Sequence, residues 1–157
     1  MALVKGSTYE NVFYEYVLSG LKSIFNSEFT NSAKVYVAPE ILYPDNFQIR
    51  LWGNSSSTNE FWQSGWQKEY DVDISLYMIE KNPQELFYKQ LYQDSERLYQ
   101  LLHNNRTKSI TVGSTTLTWI DANVSDVVIN SFDGEEEDID GLNTAKLSFT
   151  CLVERST

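Results

Sequence analysis

The strictest constraint on the fold is a sustained alternation of apolar and polar side chains from Lys68 to Ile79. The apolar set comprises Tyr70, Val72, Ile74, Leu76 and Met78, and the polar set comprises Glu69, Asp71, Asp73, Ser75 and Tyr77. Successive side chains of a β-strand point to opposite faces of its sheet, so the pattern predicts a strand with one buried and one wet face. Such a strand would run about 40 Å, longer than most, and is typical of an antiparallel sheet.

Further segments alternate in the same way or are rich in β-branched and aromatic residues, which predicts more strands. They are 34–38, 47–51, 110–112, 116–119, 124–131 and 144–154. Pro39 closes the first of them, because proline removes a donor from the hydrogen-bond ladder. Gly113-Ser114-Thr115 predicts a hairpin turn.

Two helices are predicted from their start signals and their apolar spacing. Ser7 and Glu10 have capping-box spacing, and apolar residues recur at three- and four-residue intervals as far as Phe25. Asn82 and Pro83 favour a second helix start, with asparagine as cap and proline at the first helical position. We expect this helix to end near His103.

The order of elements predicts an α+β fold with two helices packed on one mainly antiparallel sheet, in the order α-β-β-β-α-β-β-β with three or four closing strands. At 157 residues the chain fits one domain, residues 1–157, that needs no metal or disulfide to fold. Cys151 is the single cysteine, which favours synthesis in a reducing cytoplasm. The sequence predicts no signal peptide and no membrane partner.

Charge and aromatic content favour a protein partner. The net charge of −10 disfavours specific binding to a nucleic acid, since a phosphate backbone would be repelled. Aromatic residues make up 14% of the chain, and tyrosine and tryptophan are common where two protein surfaces meet.

The segment from Gly53 to Gln67 predicts an irregular loop, because it is rich in serine and asparagine and has no helical or strand period. Its aromatic residues Phe61, Trp62 and Trp66 admit two interpretations. They could fold back as a lid over the edge of the sheet. Alternatively, they anchor a neighbouring subunit, since an exposed tryptophan in a loop is costly unless something covers it.

The sequence predicts no enzyme and no cofactor. His103 is the single histidine, so a Ser-His-Asp triad or a two-histidine metal site is not expected, and no glycine-rich phosphate loop occurs. Asp71 and Asp73 share a strand face, as a pair of glycosidase carboxylates would, but regular alternation on an exposed strand explains them equally well.

An acidic run between Asp133 and Gly141 raises the possibility of calcium binding, because hard cations prefer clustered carboxylates. Its spacing does not match an EF-hand loop, and three consecutive glutamates cannot all point inward. We therefore expect a solvated, self-repelling loop.

The order of elements resembles that of the tail terminator (tail-completion) proteins of long-tailed bacteriophages. The resemblance runs from about Tyr9 to Val153. It is carried by the strand 47–52, the long strand 68–79 with its Glu69-Tyr70-Asp71-Val72-Asp73-Ile74 run, the helix capped by Asn82-Pro83, and a closing strand that ends in Leu152-Val153-Glu154.

The resemblance implies a virion protein made in the host cytoplasm, which forms a ring, usually a hexamer, on the phage tail or neck. Its partners would be its own copies, the tail-tube protein and the head-side connector or stopper, with the genome passing through the lumen. Acidic residues near the lumen or on the face toward the tube would repel DNA, and the candidates are Asp133, Glu135, Glu136, Glu137, Asp138 and Asp140. The alternatives are another connector component, such as a stopper or adaptor, and a small acidic binding or inhibitor protein.

Overall fold

The computed structural model describes residues 10–38, 46–63, 65–132 and 134–156. In chain order the elements are a π-helical segment, Val12–Leu18; α1, Ser19–Glu28; β1, Lys34–Tyr36; β2, Phe47–Trp62; β3, Gly65–Ile79; α2, Glu85–Asn104; β4, Lys108–Val112; β5, Thr115–Val124; β6, Val128–Ile129; a 3₁₀ helix, Gly134–Asp138; and β7, Leu142–Ser156.

The strands form one seven-stranded sheet in the order β1-β2-β3-β7-β5-β4, with β6 also paired to β7. The β1–β2 pair is parallel, and the other pairs are antiparallel. The predicted class, two helices with a mainly antiparallel sheet, is therefore confirmed. Four strands follow α2, although β6 contains only two residues.

The first helical region begins as a π-helix and continues as α1. The Asn11 side chain accepts a hydrogen bond from the Tyr14 N–H at 3.3 Å, and the Ser19 N–H donates to the Tyr14 carbonyl at π-helical spacing. The predicted cap at Ser7 lies outside the described residues. The helix was expected to end at about Phe25, and α1 ends three residues later, at Glu28.

The second helix starts later than predicted. Gln84 is the N-cap, with extended backbone angles and no capping side-chain bond, so the assignment of Asn82 as the cap was wrong. Asn82 instead donates its N–H to the Glu80 carboxylate at 3.4 Å. The helix ends at Asn104, close to the predicted His103.

Most of the predicted strands have different bounds in the structure. The segment 124–131 is interrupted: β5 ends at Val124, and only Val128 and Ile129 pair again, before Asn130 adopts a left-handed conformation with φ of 55°. By contrast, the closing strand is longer than predicted and extends from Leu142 to Ser156.

The core lies between the helices and one face of the sheet. Apolar residues of the π-helical segment, α1 and α2 join the inward-facing side chains of β3, β5 and β7 in one buried cluster. Trp119 and Phe149 pack in it with ring centroids 5.7 Å apart. The Trp119 indole N–H donates to the Tyr16 carbonyl at 2.7 Å, which ties β5 to the first helix.

A matched pair of isoleucine substitutions tests whether the core lies on one face of the sheet. Ile74→Ala on β3, where the side chain is 1% exposed, should lower the free energy of unfolding by about 2–5 kcal/mol, since it leaves a cavity. Ile120→Ala on β5, at 36% exposure, should cost less than about 1 kcal/mol. Urea unfolding measures both, and equal losses would contradict the packing described.

Candidate interaction site

The predicted loop between Gly53 and Gln67 is wrong, because most of it forms a β-hairpin. β2 continues to Trp62, and β3 already begins at Gly65. Pairing places Phe61 opposite Trp66 and Trp62 opposite Gly65, so Phe61 and Trp66 are neighbours on one face of the hairpin and Trp62 lies on the other face. The loop prediction failed because pairing with β3, and not an apolar period of its own, makes this segment a strand.

The segment Gly53–Trp62, here called the outer half of β2, is unusually open for a strand. Residues 53–61 are exposed, although alternate side chains point to opposite faces. Phe61 is 81% exposed, so it does not fold back as a lid over the sheet. Register shifts after Gly53 and after Thr58 mark two bulges in the pairing with β3.

An open cleft of about 340 Å³ lies beside the outer half of β2 on the helix-covered face of the sheet. Its lining residues are Glu10, Asn11, Val12, Phe13, Ser56, Trp66, Lys68 and Tyr70. The Lys68 ammonium lies 5.8 Å from the ring centroid of Trp66 and 5.2 Å from that of Tyr70. These distances allow cation–π attraction, so the cleft is partly aromatic and carries one cation.

Sequence reasoning missed the role of Phe13 in this cleft. Its ring meets Tyr70 edge to face with centroids 5.0 Å apart. A Cβ on Gly53 would come within 2.6 Å of the Phe13 ring, so only glycine lets the ring lie so close to β2. An isolated glycine in a strand pattern signals such close approach, and Gly53 directly after the alternating run of β2 was that signal.

The acidic segment lies at the other end of the sheet, on the face away from the helices. It forms the 3₁₀ helix Gly134–Asp138, and the Glu136 carboxylate accepts a hydrogen bond from the Lys146 ammonium at 2.7 Å. The two side chains are only 12% and 17% exposed. The expectation of a fully solvated loop is therefore wrong at Glu136, because Lys146 on β7 draws this carboxylate inward.

The other predicted acidic residues are placed differently. Glu137, Asp138 and Asp140 are exposed. Asp133 and the side chain of Glu135 lie outside the described residues. The segment thus turns one carboxylate toward the sheet and presents at least three to solvent.

A buried polar layer lies beneath the acidic segment. Tyr77 is 2% exposed, and burial raises the pKa of its hydroxyl, with Glu136 adding to the rise. Thr144, opposite Tyr77 in the register, donates its hydroxyl to the Ser131 carbonyl at 3.1 Å. These contacts attach the segment before β7 to the sheet.

The two aspartates of the polar face bond to hydroxyls of β7. Thr150 donates to Asp71 and Ser148 donates to Asp73, each at 3.1 Å. Asp71 also accepts from the Asn54 side chain at 3.3 Å. Cross-strand hydrogen bonding of this kind fits the interpretation that Asp71 and Asp73 are polar residues of an exposed strand face.

The described residues contain no group of three or more His, Cys, Asp or Glu side chains arranged to hold a metal ion. Neither α1 nor α2 combines the length and the apolarity that a bilayer crossing requires. The chain matches no protein-family model, and no curated protein resembles it significantly.

Neighbouring glutamates provide a test of the inward-facing carboxylate. Glu136→Gln should lower the free energy of unfolding by about 1–3 kcal/mol, since it replaces a charged acceptor of Lys146 with a neutral amide in a largely buried site. Glu137→Gln, at an exposed position of the same 3₁₀ helix, should change it by less than about 0.5 kcal/mol. Chemical denaturation near pH 7 measures both, and a smaller loss for Glu136→Gln than for Glu137→Gln would contradict the placement.

The single cysteine should be chemically inert in the folded protein. Cys151 is fully buried, and burial raises the pKa of its thiol to about 12. Because the thiolate is the reactive form, an aromatic disulfide reagent at pH 8 should leave the native chain unmodified for hours and label it fully in denaturant. Rapid labelling of the native chain would show that β7 opens readily at this position.

Proposed function

We propose that the chain is a virion structural protein, a tail terminator whose copies form a ring that caps the tail tube of a phage and joins it to the head-side connector. In this role the protein acts through its surfaces and carries out no catalysis. The proposal combines the resemblance in the order of elements with the properties of two surfaces of the folded chain.

The exposed aromatic residues at the end of the outer half of β2 are the main support for the proposal. An 81% exposed Phe61, flanked by Trp62 and opposite Trp66, is costly in water and gains stability when another protein covers it. The chain has a net charge of −10, so Phe61, Trp62 and Trp66, here called the aromatic group, provide apolar surface on an otherwise acidic molecule. Such a group is suited to anchoring a neighbouring subunit or the end of the tube.

The acidic face of the sheet supports a lumen-lining role. Glu69, Asp71 and Asp73 share the face that the helices leave uncovered, and the acidic segment lies on that same face. If this face lines the ring, its carboxylates repel the phosphates of a passing genome and prevent DNA from adhering. We propose that Glu137, Asp138 and Asp140 contribute to this repulsion.

The aromatic group and the acidic segment lie at opposite ends of β3. Gly65 pairs with Trp62, whereas Ser75 pairs with Lys146, the partner of Glu136. About ten residues of strand separate the two positions, which corresponds to about 33 Å. A ring built with the strands along its axis would present the aromatic residues at one end and the acidic segment at the other, as a protein between two different neighbours requires.

Light scattering and electron microscopy of the purified full-length chain, alone and with the tail-tube protein of the same phage, test the proposal. We expect closed rings at high concentration or on tube ends. A chain that remains monomeric under both conditions and leaves tube ends uncapped would refute it. Cross-linking in intact particles would distinguish a terminator from a stopper or adaptor, because only the terminator contacts the tube directly.

A pair of aromatic substitutions tests the anchoring role. Phe61→Ser should weaken association by about 10-fold or more, because the exposed ring loses its burial in the assembly. Tyr92→Ser removes a ring that is 53% exposed on α2 and should leave association within about twofold. Sedimentation equilibrium measures both, and equal effects would argue against an aromatic anchor at Phe61.

A further inference from the structure

The sheet has two open edges that lie on opposite sides. Within the described residues, the outer half of β2 pairs only with β3, and β4 pairs only with β5. An open strand edge presents backbone N–H and C=O groups that can pair with another chain. The strand order β2-β3-β7-β5-β4 places these two edges four strand spacings apart, or about 19 Å.

The two edges differ in charge. Residues 97–120, which include β4, contain no acidic residue in a chain with 22 acidic side chains. Lys108 begins β4 and Arg106 lies just before it, whereas Arg97 on α2 is paired with Glu28 at 2.7 Å. The hairpin residues 53–71 contain Glu60, Glu69 and Asp71 against a single lysine. A second copy is repelled by most of this acidic molecule, so the basic β4 edge is where an acidic hairpin approaches favourably.

The direction of the strands is also compatible with edge pairing. β2 and β7 are both antiparallel to β3, β5 is antiparallel to β7, and β4 is antiparallel to β5. β2 and β4 therefore run the same way. Copies related by rotation about an axis along the strands keep this direction, so β2 of one copy would meet β4 of the next in parallel.

The register across the sheet indicates which residues share a height. One row of partners runs from Glu60 through Gln67, Glu154 and Thr118 to Ser109. If neighbouring copies are related by rotation alone, with no shift along the strand direction, Glu60 of one copy lies beside Ser109 of the next. One residue further along each strand, Phe61 lies beside Ile110, which is partly buried against the core.

We propose that the outer half of β2 pairs in parallel with β4 of a second copy, so that the sheet continues from subunit to subunit. This inference rests on the proposed ring and names its contact. Pairing satisfies backbone groups on both edges, and it covers Phe61 with the apolar side of β4. Because the two edges differ, each copy uses one edge toward each neighbour, and such a contact forms a closed ring when the rotation between successive copies closes.

A double cysteine variant, Glu60→Cys/Ser109→Cys, tests the contact in the full-length chain. The two positions are too far apart within one chain for a disulfide, which requires Cα atoms about 4.4–6.8 Å apart. Adjacent strands of neighbouring copies meet this requirement at about 4.8 Å. Mild oxidation should therefore produce a ladder of covalent multimers on a denaturing gel, up to the size of the closed ring.

Controls make the result specific. Glu60→Cys alone and Ser109→Cys alone should each give at most dimers. Ser23→Cys/Ser109→Cys, with Ser23 exposed on α1, should give no ladder. An equal ladder from this control would overturn the inference as random collision. Rings seen by light scattering without a ladder from Glu60→Cys/Ser109→Cys would overturn the edge contact and leave the proposed function standing. A strict monomer, with or without tube protein, would overturn both.

A charge reversal tests the same contact without a cross-link. Lys108→Glu on β4 should weaken association by about threefold to tenfold at low salt, because the approaching edge of the neighbour is acidic. Lys89→Glu makes the same change in net charge at an exposed position of α2 and should have a smaller effect. Equal effects in sedimentation experiments would mean that only net charge matters, and would overturn the proposed edge.

Discussion

The pairing of β3 with β7 is the interaction on which the rest of the structure depends. The two strands stay in register from Gly65 opposite Ser156 to Ile79 opposite Leu142. Their inward side chains form the floor on which both helices pack, and their outer edges carry β2 on one side and β5 with β6 on the other. Because β7 follows the other six strands in sequence and lies between β3 and β5, the centre of the sheet is complete only when β7 is in place.

The same strand pair separates two environments. On the helix side, Val72 faces Phe149 and Leu76 faces Ala145, and all four are fully buried. On the other side the rows are polar, and β7 supplies the hydroxyls and the lysine that meet the carboxylates of β3 and the acidic segment. The carboxylates of β3 and Glu136 thus lie on the face away from the apolar core, where hydrogen bonds and water compensate them.

Net charge and assembly are linked in this molecule. A charge of −10 keeps isolated copies apart, so any association has to use surfaces where that repulsion is weakest. The outer half of β2, which carries a single charge at Glu60 and ends in aromatic residues, and the acid-free stretch around β4 are such surfaces. Their placement at the two sides of one sheet favours contacts between different edges, since a pairing of like edges would leave the other edge of each copy open.

Local pattern in the sequence determined the two helices, the long alternating strand and the mainly antiparallel sheet, because side-chain periodicity reports directly which face of an element is buried. The tertiary structure alone decided the outer half of β2, where serine and asparagine carry no period and hydrogen bonding to β3 creates the strand. It also decided the direction of Glu136: Glu136 and Glu137 look alike in sequence, and Lys146, brought near by the fold, draws Glu136 inward while Glu137 stays exposed. Residues that are distant in the chain but close in space leave no local signal in the sequence. The sequence therefore identified the aromatic and acidic residues, and the fold determined which other residues they contact.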